Sequence, residues 1–422
     1  MRIAFLASRK GYLKVMGSLV QAAVARGHEA LLLRDPSERK PGEATTDGDL
    51  AHWPPARVLP FARGAPLSPL LGGERVDALV APSLHFLLVS MGLEADIQAL
   101  RAAGVRLYSV DYIMEALNSR PEGYALLDRT FYTSEYQRRL HWSLFPEAFE
   151  ALRGRVDLES RSAVCGSTML DQLALVDRAA VRRQHGLPAE RPVVLFMSLK
   201  MAVPEPWRRL VWGDGPTLLR TVKALAQRHG ALVPDIWRGN GYRALAEAVR
   251  RFCDRTGAAF VVKSRTKNCD PRFLKDVADK VVERDDEVYP YTSIQLMAVA
   301  DLCVHFQSGA VLEAAMAGVP SVAVTVPQSH LHRYPGFGEI FGTREGSLQN
   351  FSGVVWSVPH DGVAALLDGR TLADFRMPPA ARRAYVERYL GFDDQDSSGR
   401  VLRSIEADVR VTSGAPAAAP PA

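Results

Sequence analysis

Short apolar runs recur along the chain, and the stretches between them place apolar residues at helical spacing. "RIAFLAS" (2–8) opens the series as a strand that is apolar throughout. "KVMGSLVQAAVARG" (14–27) follows as an amphipathic helix closed by Gly27, and "HEALLL" (28–33) is the next strand. "VDALVAPS" (76–83), "VRLYSVDY" (105–112) and "RTFYTS" (129–134) continue it. After Pro192 the pattern restarts with "VVLFMS" (193–198), then "AAFVVKSR" (258–265), "LCVHF" (302–306), "SVAVTV" (321–326) and "GVVWSV" (353–358). Strands that alternate with helices predict parallel sheets of the α/β type.

Two successive series predict two domains, as the length of 422 residues also does. The expected architecture is α/β, with two Rossmann-like domains facing across a cleft. Residues 1–175 are expected to form the first domain and 176–410 the second, with the last helix able to cross back. Residues 411–422 read by composition as a disordered tail. Residues 35–70, rich in Pro, Gly and charge, read as an irregular excursion. Residues 200–245, with Trp207, Trp212 and Trp237, read as loops and short helices lining the cleft.

Composition narrows the functional classes. A hydrophobic content of 47% with 23% charged residues excludes global disorder. The net charge of +5 is spread among acids rather than massed, which argues against nucleic acid and fits an anionic small ligand or an anionic membrane face. The four cysteines stand far apart in sequence and predict reduced thiols in a cytoplasmic protein, with no zinc site. The apolar start is too short for a signal peptide, and "ALVAPSLHFLLVSMGL" (78–93) is too short to span a bilayer. The expected location is the cytoplasm, with peripheral contact to the inner membrane face.

Open parallel sheets bind ligands beyond the carboxyl ends of their strands, so strand-end loops are where chemistry is expected. "SRKG" (8–11) brings Gly11, beside cations, to a helix start that suits phosphate. The G-x-G-x-x-G fingerprint of dinucleotide binding is missing there. Ser198 ends "VVLFMS". "KSRTKN" (263–268) places Lys263, Arg265 and Lys267 at the end of an apolar strand, where three cations can neutralise a pyrophosphate. "HFQSGAVLEAAMAGVP" (305–320) is the densest cluster. Ser308 is read as the cap of a helix and Gly309 as the opening that lets phosphate reach its first turn. Gln307 stands beside them, and Glu313 returns one turn later to accept ribose hydroxyls. Asp111 and His85, at strand ends of the first half, are candidate bases. No metal-ligand constellation is apparent, so a metal-independent reaction without a cofactor is expected.

"YPYTSIQLMAVADLCVHFQSGAVLEAAMAGVPSVAV" (289–324) resembles the carboxyl-terminal half of glycosyltransferases of the GT-B fold. The shared features are a helix ending in "AD", a strand, an "SG" turn, a helical Glu and "GxP". "AVCGSTMLDQL" (163–173) is similar to the hinge crossover of that group. "YLGFDDQDSSGRVLRSI" (389–405) is similar to the closing segment of CDP-glycerol glycerophosphotransferase-like proteins. Those transferases carry histidines where this chain reads "YSVDYI" (108–113) and "KSRTKN". UDP-N-acetylglucosamine 2-epimerases share the "SG…E…GxP" element. The resemblance implies a transferase that moves a glycosyl group, or glycerophosphate, from a nucleotide-activated donor to a polysaccharide or lipid-linked acceptor. A sugar-nucleotide epimerase and a non-catalytic nucleotide-sugar-binding homologue are the alternatives it leaves.

Overall fold

The computed structural model describes residues 1–7, 10–35, 45–110, 121–198, 242–264, 272–283, 289–325 and 336–413. The chain divides into two compact units. The first comprises Met1–Ala174, Glu287–Tyr289 and Glu387–Ala422, and the second Leu175–Asp286 and Pro290–Val386.

The first unit is built on seven parallel strands: β1 (Arg2–Ala7), β2 (Glu29–Arg34), β3 (Arg57–Pro60), β4 (Ala78–Pro82), β5 (Arg106–Val110), β6 (Arg129–Tyr132) and β7 (Ser162–Val164). Their spatial order is β3-β2-β1-β4-β5-β6-β7. Ile3, Ala4, Phe5, Leu6 and Ala7 are fully buried because β1 lies mid-sheet with both faces covered, which is why its sequence is apolar without alternation. The helix Lys10–Ala25, which starts earlier than the periodicity predicts, buries Leu13, Met16, Leu19, Val20 and Ala23 along one stripe.

The irregular excursion expected at 35–70 contains regular elements among its described residues. It contains β3, a short helix at Asp47–Leu50 and the start of another at Ser68–Gly73. β3 escapes a pattern search because it is an edge strand, mostly exposed, charged at its start and ended by a proline.

The C-terminal helix (Ser397–Ser413) completes the first unit. Asp171 caps it from afar, accepting from the Ser397 N–H at 3.1 Å and the Ser398 N–H at 2.6 Å. Arg400 Nε donates to the Cys165 carbonyl at 2.8 Å. Glu406 takes a two-pronged contact from Arg26 (2.7 and 2.8 Å) and meets His28 Nε2 at 2.8 Å. Hydrogen bonding from Arg26 is the main reason the Glu406 carboxyl falls to about 2. The two segments likened above to a hinge crossover and a closing segment therefore meet in space, at Asp171 and Ser397. Tyr289 also belongs to this unit. Its ring lies where a Cβ on Gly17 would sit, only 2.4 Å from Cε2, so a glycine is required in the helix at that point.

The second unit has six parallel strands: β8 (Val193–Met197), β9 (Ala259–Lys263), β10 (Lys280–Val282), β11 (Leu302–His305), β12 (Ser321–Thr325) and β13 (Val355–Pro359). Their order is β10-β9-β8-β11-β12-β13. One face carries Val194, Phe196, Phe260, Val304 and Phe306 against the helix Tyr242–Thr256. The other carries Val193, Leu195, Val261 and Cys303 with residues of the helices Thr292–Val299 and Ala310–Ala317. Among the described residues no helix is long and apolar enough to cross a membrane.

Burial raises the Asp171 carboxyl even though the Ser397 and Ser398 N–H groups donate to it. Truncation would remove this desolvation penalty along with the cap. Asp171→Ala is therefore expected to cost about 2 kcal/mol, less than two charge-assisted hydrogen bonds would suggest. Thermal and denaturant unfolding of the full chain measure it, and a loss near zero would contradict the assigned capping role.

Candidate functional site

Numbered from its own first strand, each sheet has the order 3-2-1-4-5-6, with β7 added in the first. Where neighbouring strands lead their connections to opposite sides, a crevice opens at the carboxyl ends. That point lies between β1 and β4 in the first unit and between β8 and β11 in the second.

In the second unit, β8, β9 and β11 bring their ends to one crest. Ser198 N–H donates to the Lys263 carbonyl at 3.0 Å, so the end of β8 is tied to that of β9. Lys263 is 2% exposed and its ammonium donates to the Ser264 carbonyl. β11 pairs with β8 through Val304 and Phe196, which sets His305 to Gly309 next along the same crest.

Here the backbone turns sharply. Gln307 takes a left-handed φ of 32°, costly for a residue with a side chain. Gly309, at φ −60° and ψ −14°, holds the helix cap position. Ser308 is thus one residue short of the capping role expected of it, and its hydroxyl reaches only the Ala310 N–H at 3.4 Å. The first turn is tight: Val311 N–H donates to the Ser308 carbonyl (3.3 Å) and Leu312 N–H to that of Gly309 (3.0 Å). Two of the helix amides expected to face a ligand are therefore already engaged. Among the described residues the N–H groups of Ser308 and Gly309 have no acceptor. A positive-φ residue followed by right-handed ones turns successive N–H groups inward, the backbone arrangement of an anion nest.

Glu313 lies in the first turn of Ala310–Ala317 and is 5% exposed. It is close enough to the sheet for its charge, after burial, to push the Cys303 thiol up. Gly318, at φ 74°, ends this helix as its sequence predicts. A later segment packs over the turn. Gln307 Nε2 donates to the Phe341 carbonyl at 2.5 Å, and Gln349 Nε2 reaches the Ser308 carbonyl at 3.5 Å.

The structure thus brings together Ser198, Lys263, Gln307, Ser308, Gly309 and Glu313. Arg265 and Lys267 lie outside the described residues, as does Asp111 just beyond β5. Gly11 and His85 fall in the first unit, in the helices that follow β1 and β4 and so flank its own crevice. Lys10, beside Gly11, is paired with Asp49 at 2.6 Å. Ser83, between β4 and His85, is left-handed at φ 47° and 1% exposed. Both units therefore strain a side-chain-bearing residue at the end of their fourth strand.

Gln349 escapes sequence reasoning, whereas His305 heads the polar group that the sequence places at the end of β11. Gln349 is far from Ser308 in sequence and sits in a loop without any pattern. His305 ends β11 with no exposure at all, and among the described residues neither ring nitrogen has a hydrogen-bond partner. Its signal was present: a polar ring closing an otherwise apolar strand. Burial alone lowers the His305 imidazole to about 3, so it is neutral near pH 7.

No family model matches the chain, and no curated protein matches it by sequence. Solved structures do match along nearly its whole length. The UDP-GlcNAc 2-epimerase of Neisseria meningitidis bound to UDP-GlcNAc aligns with a TM-score of 0.59 at 10% identity, covering 96% of this chain and 100% of that one. S. aureus MnaA with UDP gives 0.55 at 13% identity, over 99% and 100%. The wall teichoic acid polymerase TagF gives 0.55 at 10% identity, over 97% and 90%. At these identities the likeness shows the fold, and that fold is of the GT-B type. The first and the third of these are enzymes by name, an epimerase and a polymerase.

His305 carries a linkage prediction. A histidine whose pKa is lower in the folded state adds stability that is fully present above its unfolded value near 6.5 and lost as pH falls toward 3. His305→Leu is expected to flatten the loss of melting temperature between about pH 6.5 and 4, which scanning calorimetry across that range would read. Parallel curves for the two proteins would mean the ring is not buried as described.

Proposed function

We propose that the chain is an enzyme that binds a nucleotide-activated donor at the crest of its second unit and transfers a glycosyl group, or glycerophosphate, to a polysaccharide or lipid-linked acceptor. The observation that carries this reading is the Gln307–Gly309 turn, where the Ser308 and Gly309 N–H groups have no acceptor among the described residues, at the crevice position of the sheet. The names of the similar structures support it, since one holds UDP-GlcNAc and another UDP.

In this reading the Ser308 and Gly309 amides and the helix behind them hold the diphosphate, and Glu313 accepts from the ribose. Lys263, Arg265 and Lys267 supply charge, and Ser198 and Gln307 border the pocket. Catalysis rests on stabilising the departing nucleotide, a nucleoside diphosphate in glycosyl transfer and a nucleoside monophosphate in glycerophosphate transfer, because fixed donors aimed at developing charge need no reorganisation during the reaction. Asp111 or His85 removes the acceptor proton, and Gly11 lies on the acceptor side. A lipid-linked acceptor would account for peripheral contact with the inner membrane face.

The epimerase names among the similar structures favour a second reading, in which the same site interconverts a sugar nucleotide. The two separate cleanly. An epimerase turns over its sugar nucleotide with no acceptor present, whereas a transferase shows only slow hydrolysis until the acceptor is added.

Bound ligand raises apparent stability, so a thermal-shift panel of UDP-, CDP-, GDP- and dTDP-sugars should single out one base. Glu313→Ala is expected to weaken that ligand by about 1–3 kcal/mol, roughly 5- to 150-fold in Kd. Titration calorimetry of both proteins tests this, and unchanged affinity removes Glu313 from the site.

A further inference from the structure

His305 stands out among the buried polar groups at the crest. A neutral imidazole offers one donor and one acceptor, and an unpaired polar group inside a protein destabilises it. Among the described residues nothing hydrogen-bonds to either nitrogen of this ring, and the ring is fully enclosed.

Its place along β11 says what it faces. Leu302, Val304 and Phe306 point to one face of the sheet, packed with Tyr242 and Leu245. Cys303 points to the other, packed with Ala310 and Ala314 of the Ala310–Ala317 helix. Strand alternation sets His305 on the Cys303 side, one step nearer the crest. The ring therefore lies under the start of that helix, within the same short turn as the Ser308 and Gly309 amides.

A second polar atom in this place is also unpaired. Gln349 is fully buried, and among the described residues its Oε1 has no partner, while its Nε2 reaches the Ser308 carbonyl. Strain gathers here too, in the left-handed Gln307. Unpaired donors, an unpaired acceptor and a strained residue at one turn are what a site looks like when its ligand completes the hydrogen bonding.

We propose that His305 is a binding residue for the donor diphosphate, its N–H donating to a phosphate oxygen once the ligand has entered the Gln307–Gly309 turn. The inference rests on the proposed reading of that turn as a nucleotide site. Because the ring is enclosed, ligand entry includes a local shift of the turn, and relaxation of Gln307 favours it. Neutrality suits the role, since an uncharged ring can wait in an apolar surrounding at far lower cost than an ammonium or guanidinium group.

The test compares wild type, His305→Leu and His305→Gln in the full chain, with UDP, CDP, GDP and dTDP as probes. His305→Leu replaces an unpaired polar ring by an apolar side chain, so its ligand-free melting temperature should rise or hold. Its affinity for the diphosphate that binds wild type should fall on the order of tenfold. His305→Gln restores a donor and should keep affinity within about threefold of wild type. Full affinity in His305→Leu, or an equal loss in both variants, overturns the proposal while leaving the nucleotide reading intact. A wild-type chain that binds none of the four removes both. Should His305→Leu not fold, imidazole ¹⁵N shifts of the wild type decide the matter. The His305 resonances, assigned by their absence in His305→Gln, move on saturation with the diphosphate if the proposal holds, and overturn it if they stay.

Discussion

A parallel sheet covered by helices on both faces leaves polar chemistry almost nowhere to go but the strand ends. That constraint governs both units. Along β1, β4, β8 and β11 the residues inside the sheet are apolar or nearly so. Polar residues then appear together as soon as the strands stop: Ser83 after β4, Ser198 after β8, Ser264 after β9, and the His305–Gly309 group ending β11. The site is a product of the fold's burial pattern before it is a product of any particular side chain.

Much of this was legible because strands buried on both faces leave a strong mark. The central strands appear in the sequence mostly as apolar runs, and so does the restart after Pro192. Of the four edge strands only β13 was found. β3, β7 and β10 are only three or four residues long, and β3 and β10 bear exposed charge at Arg57 and Lys280, so no hydrophobic pattern selects them. The "SG…E…GxP" element was legible as a strand–turn–helix unit, and its glycine ends the helix as expected. The conformation of the turn was not. A positive φ at Gln307 arises from tertiary packing, held in part by the carbonyl of Phe341, and no local rule assigns it to a glutamine.

The site residues show how local and distant forces share the work. Ser308 looked like a helix cap, yet Gly309 has that position because the tight first turn draws Val311 and Leu312 onto the two preceding carbonyls. Glu313 was read from its spacing as a group on the ligand side of the helix. In the structure it is nearly enclosed and close enough to the sheet to affect Cys303. A carboxylate so little hydrated interacts strongly with whatever hydroxyl comes within reach, because water screens it weakly.

The closing helix, Ser397–Ser413, belongs to the first unit although it ends the described chain. Asp171 and Arg26 must wait for it, one to cap its start and the other to meet Glu406. During synthesis the first sheet therefore emerges from the ribosome long before its last layer exists, and it stays incomplete while the whole second unit is made. Domains that are contiguous in sequence can finish folding in order of appearance. Here the first to begin is the last to be sealed, and any chain released early would expose the bare face of the Lys10–Ala25 helix.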